Sequence, residues 1–456
     1  RVYVYHELAP TPMLSFAVRR LGCGCGIVVS ASHNAGAYNG IKCYGPDGCQ
    51  MTDEPAAIVY QRIEEIPYFV PAAQSFDFSM AKRDVEFIAP ELWEEYYQTV
   101  LAERVTDVPS DNLNLLYTPL CGTGNKPVRT VLGRIGVHVD VVKAQEQPDG
   151  DFKTCEYPNP ETDAALNESY KIARSTHPDL ILGTDPDCDR VAVAVPAGDG
   201  FRKLSGNELG CLLLDYILGE LTAKGRLPAD PVAVRSIVSS PMADKVAAKY
   251  GVKMRSVLTG FKYIGGEILA LEQKGEENRF VFGFEESCGY LKGTYARDKD
   301  AVVASMLTAD LAAKLKREGM NLADQIDALY AELGYHDAKV ISIELKGPNA
   351  MELSAKFMKD FRAEIPTELG GVRVTSCTDY LSRVRTELAT GATEPVLLPK
   401  SNVVALELGE SGSVIVRPSG TEPKVKLYLT AVDRDPKRAA ALLERLAEDM
   451  KRLAGC

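Results

Sequence analysis

Residues 180–195 have the sequence LILGTDPDCDRVAVAV, in which two apolar runs enclose one acidic loop. The runs at 180–182 and 191–195 have the length and the branched aliphatic composition of buried strands. Where such strands alternate with amphipathic helices they form βαβ crossovers, and the strands lie parallel in a sheet between helices. Ligand-binding loops gather at the carboxyl ends of these strands. We therefore predict an α/β fold with a polar site at the end of the 180–182 strand.

A similar order of elements occurs three times along the chain. An apolar strand ends at a Thr-Pro or Ser-Pro pair, and an amphipathic helix, a glycine and a second strand follow, with the prolines at Pro12, Pro119 and Pro241. These prolines lie much further apart than the ~20 to 50 residues of a solenoid repeat. The pattern indicates duplicated domains, in agreement with a length of 456 residues and a prior of ~150 residues per domain.

Composition excludes several classes of protein. Hydrophobic residues make up 45% and charged residues 25% of the chain, which are ordinary globular values. A net charge of −11 argues against a nucleic-acid partner or an anionic membrane surface. The longest apolar stretch, 209–221, is interrupted by Asp215 and Glu220 and falls short of the ~20 residues of a membrane span. The 11 cysteines form no CxxC pair. We predict a soluble cytoplasmic protein with reduced thiols.

The chain begins with Arg1-Val2-Tyr3, which is already strand-like, and it has neither an initiator methionine nor a signal-peptide pattern. We expect the first domain to be incomplete at its N-terminal end. The helix that begins at Pro90, together with Gly206 and Gly334, suggests four domains. Their predicted bounds are 1–89, 90–205, 206–334 and 335–456.

The last domain has a different pattern. Alternating segments such as 340–344 and 403–407 predict a half-exposed antiparallel sheet. A closing helix follows, with Asp435 as its cap and Pro436 in its first turn. We expect Leu443, Leu446, Met450 and Leu453 to form the apolar stripe of this helix. Gly455 is expected to end it.

Four loops carry candidate chemistry, and the first contains Ser32 and His33. A Ser-His pair alone is most often a polar turn, but the loop continues through Gly36 and Gly40 to Lys42. Small residues let backbone donors approach a phosphate closely. Ser32 can therefore hold a phosphoryl group, whose charge of about −1.5 to −2 must be offset by cations. We expect His33, Lys42 and a metal ion to supply them.

The second loop contains Asp185, Asp187 and Asp189, followed by Arg190. An EF-hand is excluded because the loop lacks the required glycine and the final glutamate. Three alternating carboxylates between strands can converge on one Mg²⁺, which prefers hard oxygen ligands. Arg190 is predicted to reach the same phosphoryl group.

Two further loops provide polar groups. Glu285 and Ser287 follow the strand 280–282 and suit sugar hydroxyls, although a plain turn is a serious rival. The run 417–424 combines a guanidinium, hydroxyls and a glycine, which are the donors of a phosphate site. Lys262 is either a proton carrier or an ordinary lysine at a helix start.

Taken together and in this order, these loops resemble the α-D-phosphohexomutase superfamily, the phosphoglucomutases and phosphomannomutases, over essentially the whole chain. The resemblance implies an α/β fold with three related βαβ mixed-sheet domains plus a C-terminal α+β domain resembling the TATA-binding-protein fold. It also implies a phosphoserine loop, a metal-binding loop, a sugar-recognition loop and a phosphate-binding loop in domains 1 to 4. Family members begin earlier, with a phosphate-contacting arginine that this sequence lacks.

By the same resemblance, the expected catalytic residues are Ser32, His33, Lys42, Arg190 and Lys262. The expected metal ligands are Asp185, Asp187, Asp189 and Ser32. The expected substrate-binding residues are Glu285, Ser287, Arg417, Ser419, Gly420 and Thr421.

The sugar loop has the Glu-Glu-Ser form of glucose-type members, so the resemblance implies a phosphoglucomutase. It would act through a phosphoserine enzyme, with Mg²⁺ as cofactor and glucose 1,6-bisphosphate as activator, on a hexose phosphate, as a monomer or homodimer. Phosphomannomutase, phosphopentomutase and bisphosphate-sugar synthase activities remain alternatives. A phosphatase and a non-catalytic sugar-phosphate binding protein are the rivals outside the superfamily's mutase chemistry.

Overall fold

A computed structural model describes residues 1–67, 84–344, 350–419 and 424–454. Its helices are α1 (Thr11–Arg20), α2 (Asp53–Glu64), α3 (Pro90–Ala102), α4 (Asn125–Arg134), α5 (Asn167–Thr176), α6 (Gly206–Ala223), α7 (Met242–Lys249), α8 (Phe261–Glu272), α9 (Ala301–Arg317), α10 (Leu322–Leu333), α11 (Ala350–Ala363) and α12 (Pro436–Leu453). Its strands are β1 (Val2–Val4), β2 (Gly26–Val29), β3 (Ile41–Tyr44), β4 (Val85–Phe87), β5 (Asn114–Thr118), β6 (His138–Val141), β7 (Leu180–Thr184), β8 (Val191–Ala197), β9 (Gly200–Leu204), β10 (Val232–Ser236), β11 (Lys253–Val257), β12 (Phe280–Glu285), β13 (Gly289–Leu291), β14 (Tyr335–Glu344), β15 (Glu368–Leu369), β16 (Val372–Arg373), β17 (Ser376–Asp379), β18 (Val384–Glu387), β19 (Thr393–Pro395), β20 (Val404–Glu407), β21 (Gly412–Pro418) and β22 (Lys424–Asp433).

Two compact units are present. The first consists of Arg1–Ser236, Ala247–Arg255 and Gly260–Gln325, and the second of Ile237–Val246, Ser256–Thr259 and Ile326–Cys456. The first unit holds three loops, which we name the serine loop (residues 30–40), the metal loop (185–190) and the sugar loop (283–289). Arg417 and Ser419 belong to the second unit. The division into domains at 89, 205 and 334 remains a prediction.

A five-stranded mixed sheet carries the metal loop, in the order β6-β5-β7-β8-β9. β5 pairs in parallel with both β6 and β7, while β7–β8 and β8–β9 are antiparallel. Leu116, Ile181 and Ala194 are buried in its core. The apolar runs flanking the acidic loop are strands, as predicted, and the loop connects antiparallel neighbours.

The other two loops of the first unit connect strands in the same way. β10 and β12 are parallel, and β12 returns as the antiparallel strand β13, so the sugar loop joins the last pair. The serine loop joins β2 to its antiparallel partner β3. The mixed sheets confirm the fold class implied by the resemblance. The expected parallel pairing is found between β5 and its two neighbours and between β10 and β12, but the serine, metal and sugar loops each lead into an antiparallel strand, so these sheets are not parallel throughout.

In the second unit, one sheet has the strand order β14-β22-β21-β20-β17-β18-β19. All of its neighbours are antiparallel, which confirms the predicted half-exposed sheet. Apolar residues of the sheet, of α11 and of α12 share one core.

Asp435 caps α12 by accepting a hydrogen bond from the Lys437 N–H, as expected. Leu453 is 45% exposed, so its predicted place in the apolar stripe is wrong. Gly455 lies outside the described residues.

Across the described ranges, no helix is both long enough and apolar enough to span a bilayer.

Candidate active site

The serine loop presents Ser32 in an unusual backbone conformation. Its φ is +53°, in the left-handed region that non-glycine residues seldom occupy. The Ser32 N–H donates to the Ser30 Oγ at 2.8 Å, which supports this bend. The Ser32 Oγ lies 3.2 Å from His33 Nδ1. The loop therefore holds a hydroxyl and an imidazole side by side.

The metal loop buries all three of its carboxylates. Asp185, Asp187 and Asp189 are each at most 4% exposed, and one oxygen of each lies within 4.8 Å of the others. Asp185 Oδ1 accepts the backbone N–H groups of Asp189 and Arg190 at 3.0 and 2.9 Å. These bonds curl the loop so that alternate side chains turn inward.

The two loops meet. The Ser32 Oγ donates to Asp185 Oδ2 at 3.3 Å, and the Ser30 Oγ donates to Asp187 Oδ2 at 3.0 Å. Thr11, the first residue of α1, donates its hydroxyl to the same Asp187 oxygen at 3.2 Å. The candidate nucleophile and the candidate metal ligands therefore share one site within the first unit.

Two observations show that the acidic cluster suits a cation. Asp187 Oδ1 and Asp189 Oδ1 are buried and have no hydrogen-bond partner among the described residues. Burial, together with the neighbouring Asp189 and Asp187, raises the pKa of Asp185 well above its usual range. Buried like charges at this spacing destabilise one another unless a cation is present. The oxygen-only ligand set fits a hard divalent ion.

Two lysines also reach the cluster. Lys42 Nζ donates to Asp187 Oδ2 at 2.8 Å and to Asp189 Oδ2 at 3.0 Å, while Lys299 Nζ lies 3.1 Å from the latter oxygen. Burial alone would raise the pKa of Asp189, but Lys299 and Lys42 hold it well below its usual range. Asp189 is therefore ionised at neutral pH.

Lys299 is itself held by Asp298, whose Oδ1 lies 3.1 Å from the lysine Nζ. The other Asp298 oxygen accepts the buried Tyr44 hydroxyl at 2.6 Å. Tyr44 ends β3, the strand that also carries Lys42. One short strand thus places one lysine directly and supports the other through a carboxylate.

His33 does not have the charge expected from the sequence. Burial is the main cause that lowers the pKa of its imidazole to about 3, and the positive charge of Arg190 lowers it further. Without a phosphoryl group on Ser32 the ring is neutral at pH 7. Lys42 and Arg190, whose positive charges both act on the His33 ring, are cations near this loop.

Arg190 connects the metal loop to the sugar loop. Its backbone forms a β-bridge with Gly289, and the next residue, Val191, donates its N–H to the Cys288 carbonyl at 3.1 Å. The Arg190 Nη1 donates to Glu161 Oε1 at 2.8 Å. The backbone of Arg190 is thus joined to the sugar loop, while its guanidinium is bound by Glu161.

In the sugar loop, Glu285 is 5% exposed and accepts the Gly260 N–H at 2.6 Å. Burial raises the pKa of Glu286 to about 7, with Glu285 as the next cause, and Glu286 Oε2 accepts the Ser236 hydroxyl at 3.1 Å. Ser287 is partly exposed at the turn. The loop therefore presents one carboxylate fixed by a backbone donor and a neighbouring accessible hydroxyl.

The remaining predicted residues lie elsewhere in the chain. Lys262, in the first turn of α8, pairs with Asp53 Oδ1 at 2.6 Å. Arg417 is near the end of β21, and Ser419 donates its N–H to the Lys424 carbonyl at 2.8 Å. Gly420 and Thr421 lie outside the described residues. The proposed roles of all these residues remain predictions.

Sequence reasoning missed several residues of the site, namely Thr11, Ser30, Tyr44, Glu161, Asp298 and Lys299. Thr11 belongs to a Thr-Pro pair that was noted only as the end of a strand. The run of four charged residues at 297–300 was a usable signal for Lys299, because it directly precedes an apolar helix.

Known proteins agree with this architecture. Models of the phosphoglucomutase/phosphomannomutase family match residues 1–68 (alpha/beta/alpha domain I), 94–198 (domain II), 205–333 (domain III) and 380–449 (C-terminal domain). Over 436 residues the chain is 34% identical to a phosphoglucomutase of Staphylococcus epidermidis, which covers 94% of this chain and 78% of that protein. The chain belongs to the phosphoglucomutase/phosphomannomutase family.

Other members of the family are similar over comparable lengths. A phosphoglucomutase of Staphylococcus aureus is 34% identical over 434 residues, covering 94% of this chain and 76% of that one. Among solved structures, the Paramecium phosphoglucomutase parafusin in its open form has a TM-score of 0.67 at 16% identity, covering 100% of this chain and 82% of that one. A family protein from Burkholderia thailandensis has a TM-score of 0.67 at 16% identity, covering 98% and 81%. Membership places the chain among the phosphohexomutase isomerases.

Proposed function

We propose that this chain is a phosphoglucomutase, which interconverts glucose 1-phosphate and glucose 6-phosphate through a phosphorylated Ser32 and a glucose 1,6-bisphosphate intermediate. The observation that carries the proposal is the 3.3 Å contact between the Ser32 Oγ and Asp185 Oδ2. It supports a nucleophilic hydroxyl at a cation site. The names of the curated relatives at 34% identity support glucose as the sugar.

In the forward half-reaction, the phosphoryl group leaves the Ser32 oxygen as a new P–O bond forms to the free sugar hydroxyl. The hydroxyl proton finally resides on the Ser32 Oγ, so atoms and charge balance. The second half-reaction returns the other phosphate to Ser32. Such transfers have a loose transition state, so positioning and charge neutralisation supply most of the catalysis. Lys42 and Arg190 are proposed to offset the phosphoryl charge, and neutral His33 to hydrogen-bond the Ser32 oxygen.

Asp185, Asp187 and Asp189, with an oxygen on Ser32, are proposed to hold Mg²⁺, which when bound neutralises phosphoryl charge. The orphaned oxygens of Asp187 and Asp189 support such an ion. The N-acetylphosphoglucosamine mutase of Aspergillus fumigatus has been solved with magnesium and, as a serine-to-alanine variant, with glucose 1,6-bisphosphate. We propose Mg²⁺ as cofactor and glucose 1,6-bisphosphate as activator here.

Glu285 and Ser287 are proposed to bind sugar hydroxyls, and Lys262 to contact phosphate or carry a proton. Arg417, Ser419, Gly420 and Thr421 are proposed to bind the phosphate that is not transferred. The proposed enzyme is cytoplasmic, works as a monomer or homodimer, and has no nucleic-acid or membrane partner.

A coupled assay tests this function by following glucose 6-phosphate formed from glucose 1-phosphate, with Mg²⁺ and a trace of the bisphosphate. Mannose and glucosamine phosphates are run in parallel. Ser32→Ala should abolish turnover and labelling by radioactive bisphosphate, while Ser175→Ala, on the surface of α5, should change neither. Full turnover by Ser32→Ala, or release of inorganic phosphate without isomerised sugar, contradicts the proposal.

A further inference from the structure

Residues 157–161 contact the serine loop at one end and Arg190 at the other. At one end, the Tyr157 ring lies edge-on to the His33 ring, with centroids 6.1 Å apart at 88°. At the other end, Glu161 Oε1 accepts the Arg190 Nη1 at 2.8 Å. Asn159, 8% exposed, fixes the turn between them by accepting the Glu161 N–H at 3.0 Å. Residues 157–161 therefore set the position of the Glu161 carboxylate.

The Arg190 side chain lies near two carboxylates, those of Glu161 and Asp189. Its side chain is 17% exposed, and its Nε is buried without a hydrogen-bond partner among the described residues. That Nε lies 3.8 Å from Asp189 Oδ1, which is likewise buried and unpartnered within the described ranges. At present the guanidinium donates to Glu161 through Nη1. A small rotation would bring it onto Asp189 instead.

Such a rotation would damage the metal site. Asp189 Oδ2 already forms ion pairs with Lys42 and Lys299, so Oδ1 is the oxygen of this carboxylate that is left for a metal ion. A guanidinium on Oδ1 would occupy a ligand position and place a third positive charge against the ion. The same movement would commit the Nε–H to Asp189, so that it could no longer serve a phosphoryl group on Ser32, as the proposed function requires.

We infer that Glu161 is a positioning residue that holds the Arg190 guanidinium away from the metal carboxylates. This keeps Asp189 Oδ1 open for the divalent cation and leaves an edge of Arg190 free for a phosphoryl oxygen. The second consequence rests on the proposed function, but the first does not. Glu161 has 39% side-chain exposure, so a carboxamide of the same shape fits there.

The first test measures binding of Mg²⁺ alone by calorimetry to the substrate-free full chain. Glu161→Gln and Glu161→Ala should weaken binding about 10-fold, the scale of loss when a group supporting a metal ligand is removed. Asp163→Asn removes the same charge from the same loop, where Asp163 is 83% exposed and faces Lys203 instead. It should bind Mg²⁺ as wild type does. Equal weakening by Asp163→Asn, or unchanged affinity in Glu161→Gln, overturns the inference.

The second test asks whether Glu161 acts through Arg190. If it does, Glu161→Gln in an Arg190→Ala background should cause no further loss of Mg²⁺ affinity, because the competing guanidinium is gone. A full additional loss in that background would show a direct electrostatic effect and overturn the inference. Glu161→Gln is nearly isosteric, and a thermal melt near the wild-type value verifies its fold.

A kinetic test separates this inference from the proposed function. Glu161→Gln should lower kcat for glucose 1-phosphate about 10-fold at saturating Mg²⁺, with a smaller change in KM. Unchanged kcat and KM contradict the role toward the phosphoryl group. If the wild-type chain does not isomerise the sugar phosphate, the proposed function fails. The Mg²⁺ titrations still decide whether Glu161 keeps the Arg190 guanidinium off Asp189 Oδ1.

Discussion

Lys299 Nζ lies 3.1 Å from Asp189 Oδ2, the oxygen that Lys42 also contacts. Lys299 comes from the segment before α9, whereas Asp189 ends the metal loop of another domain. Burial would lower the pKa of Lys299, but Asp189 and Asp298 raise it above its ordinary value. The lysine is therefore a permanent charge at the site, and it contacts one of the three carboxylates that are proposed to bind the metal.

Lys299→Met keeps the length of the side chain and removes this charge. We expect kcat to fall by about 100-fold, the usual loss when one preorganised charge partner is removed. The variant should also melt at a lower temperature, because Asp189 and Asp298 lose a buried partner. Lys171→Met, on the exposed face of α5, is the matched control and should leave both quantities unchanged. Wild-type kcat in Lys299→Met would contradict a role at the site.

Asp187→Asn tests the metal ligand set. Asp187 Oδ1 is buried without a partner among the described residues, so its charge is available to a cation, and a carboxamide removes that charge at constant shape. We expect Mg²⁺ affinity to fall at least about 10-fold by calorimetry. Asp230→Asn, where the carboxylate is 84% exposed and pairs with Arg279, should bind Mg²⁺ normally. An unchanged titration in Asp187→Asn would exclude this ligand.

The sequence predicted the acidic loop because alternation of charge between two apolar runs is a local pattern. Asp185, Asp187 and Asp189 are close in the chain, so their convergence needs only one turn. The direction of β8 was not predictable, because an apolar run has the same composition whether it returns parallel or antiparallel. Ser32 was found through its neighbours, including Lys42, rather than through its own dipeptide.

The residues that were missed depend on long-range contacts. The run 297–300 resembles a solvated charged turn, yet Arg297 is fully buried and its Nη2 donates to Glu272 at 2.8 Å. Glu272 also accepts both Nη groups of Arg19, which is 253 residues away in sequence. The partners of these charges are distant in sequence, and one of them, Arg19, belongs to another domain, so no local pattern indicates them.

Gly206→Ala tests how the sugar loop is supported. Gly206 begins α6 beside that loop, and a Cβ there would lie 2.0 Å from the Glu286 carbonyl oxygen and 2.7 Å from the Cys288 nitrogen. The loop must move, so KM for glucose 1-phosphate should rise about 10-fold, which corresponds to ~1.4 kcal/mol of binding. Mg²⁺ affinity should remain at the wild-type value.

Gly133→Ala is the matched control for this prediction. Gly133 is also helical, but a Cβ there meets no atom within 4 Å among the described residues. Alanine should stabilise α4 slightly, by up to about 1 kcal/mol, and leave KM unchanged. If Gly206→Ala kept a wild-type KM, the sugar loop would not depend on this close contact.

The second unit contains a histidine whose titration should control stability. His336, 5% exposed, lies on β14, and its Nδ1 is 2.9 Å from the Gly334 carbonyl oxygen. Burial is the main cause that lowers its pKa from 6.5 to about 4, and Lys245 lowers it further. Between these values the unfolded chain binds a proton that the folded chain does not, so stability falls as the pH drops from 6.5 to 4.

His336→Asn keeps a donor for the Gly334 carbonyl and removes the titration. At pH 7 we expect the variant to be less stable than wild type in urea unfolding of the second unit. This difference should shrink by about 3 kcal/mol at most as the pH falls to 4, since each pKa unit corresponds to about 1.36 kcal/mol. His138→Asn, at a side chain 69% exposed on β6, should follow wild type at every pH. A difference between His336→Asn and wild type that stays constant from pH 7 to 4 would mean that this imidazole titrates alike in the folded and unfolded chains.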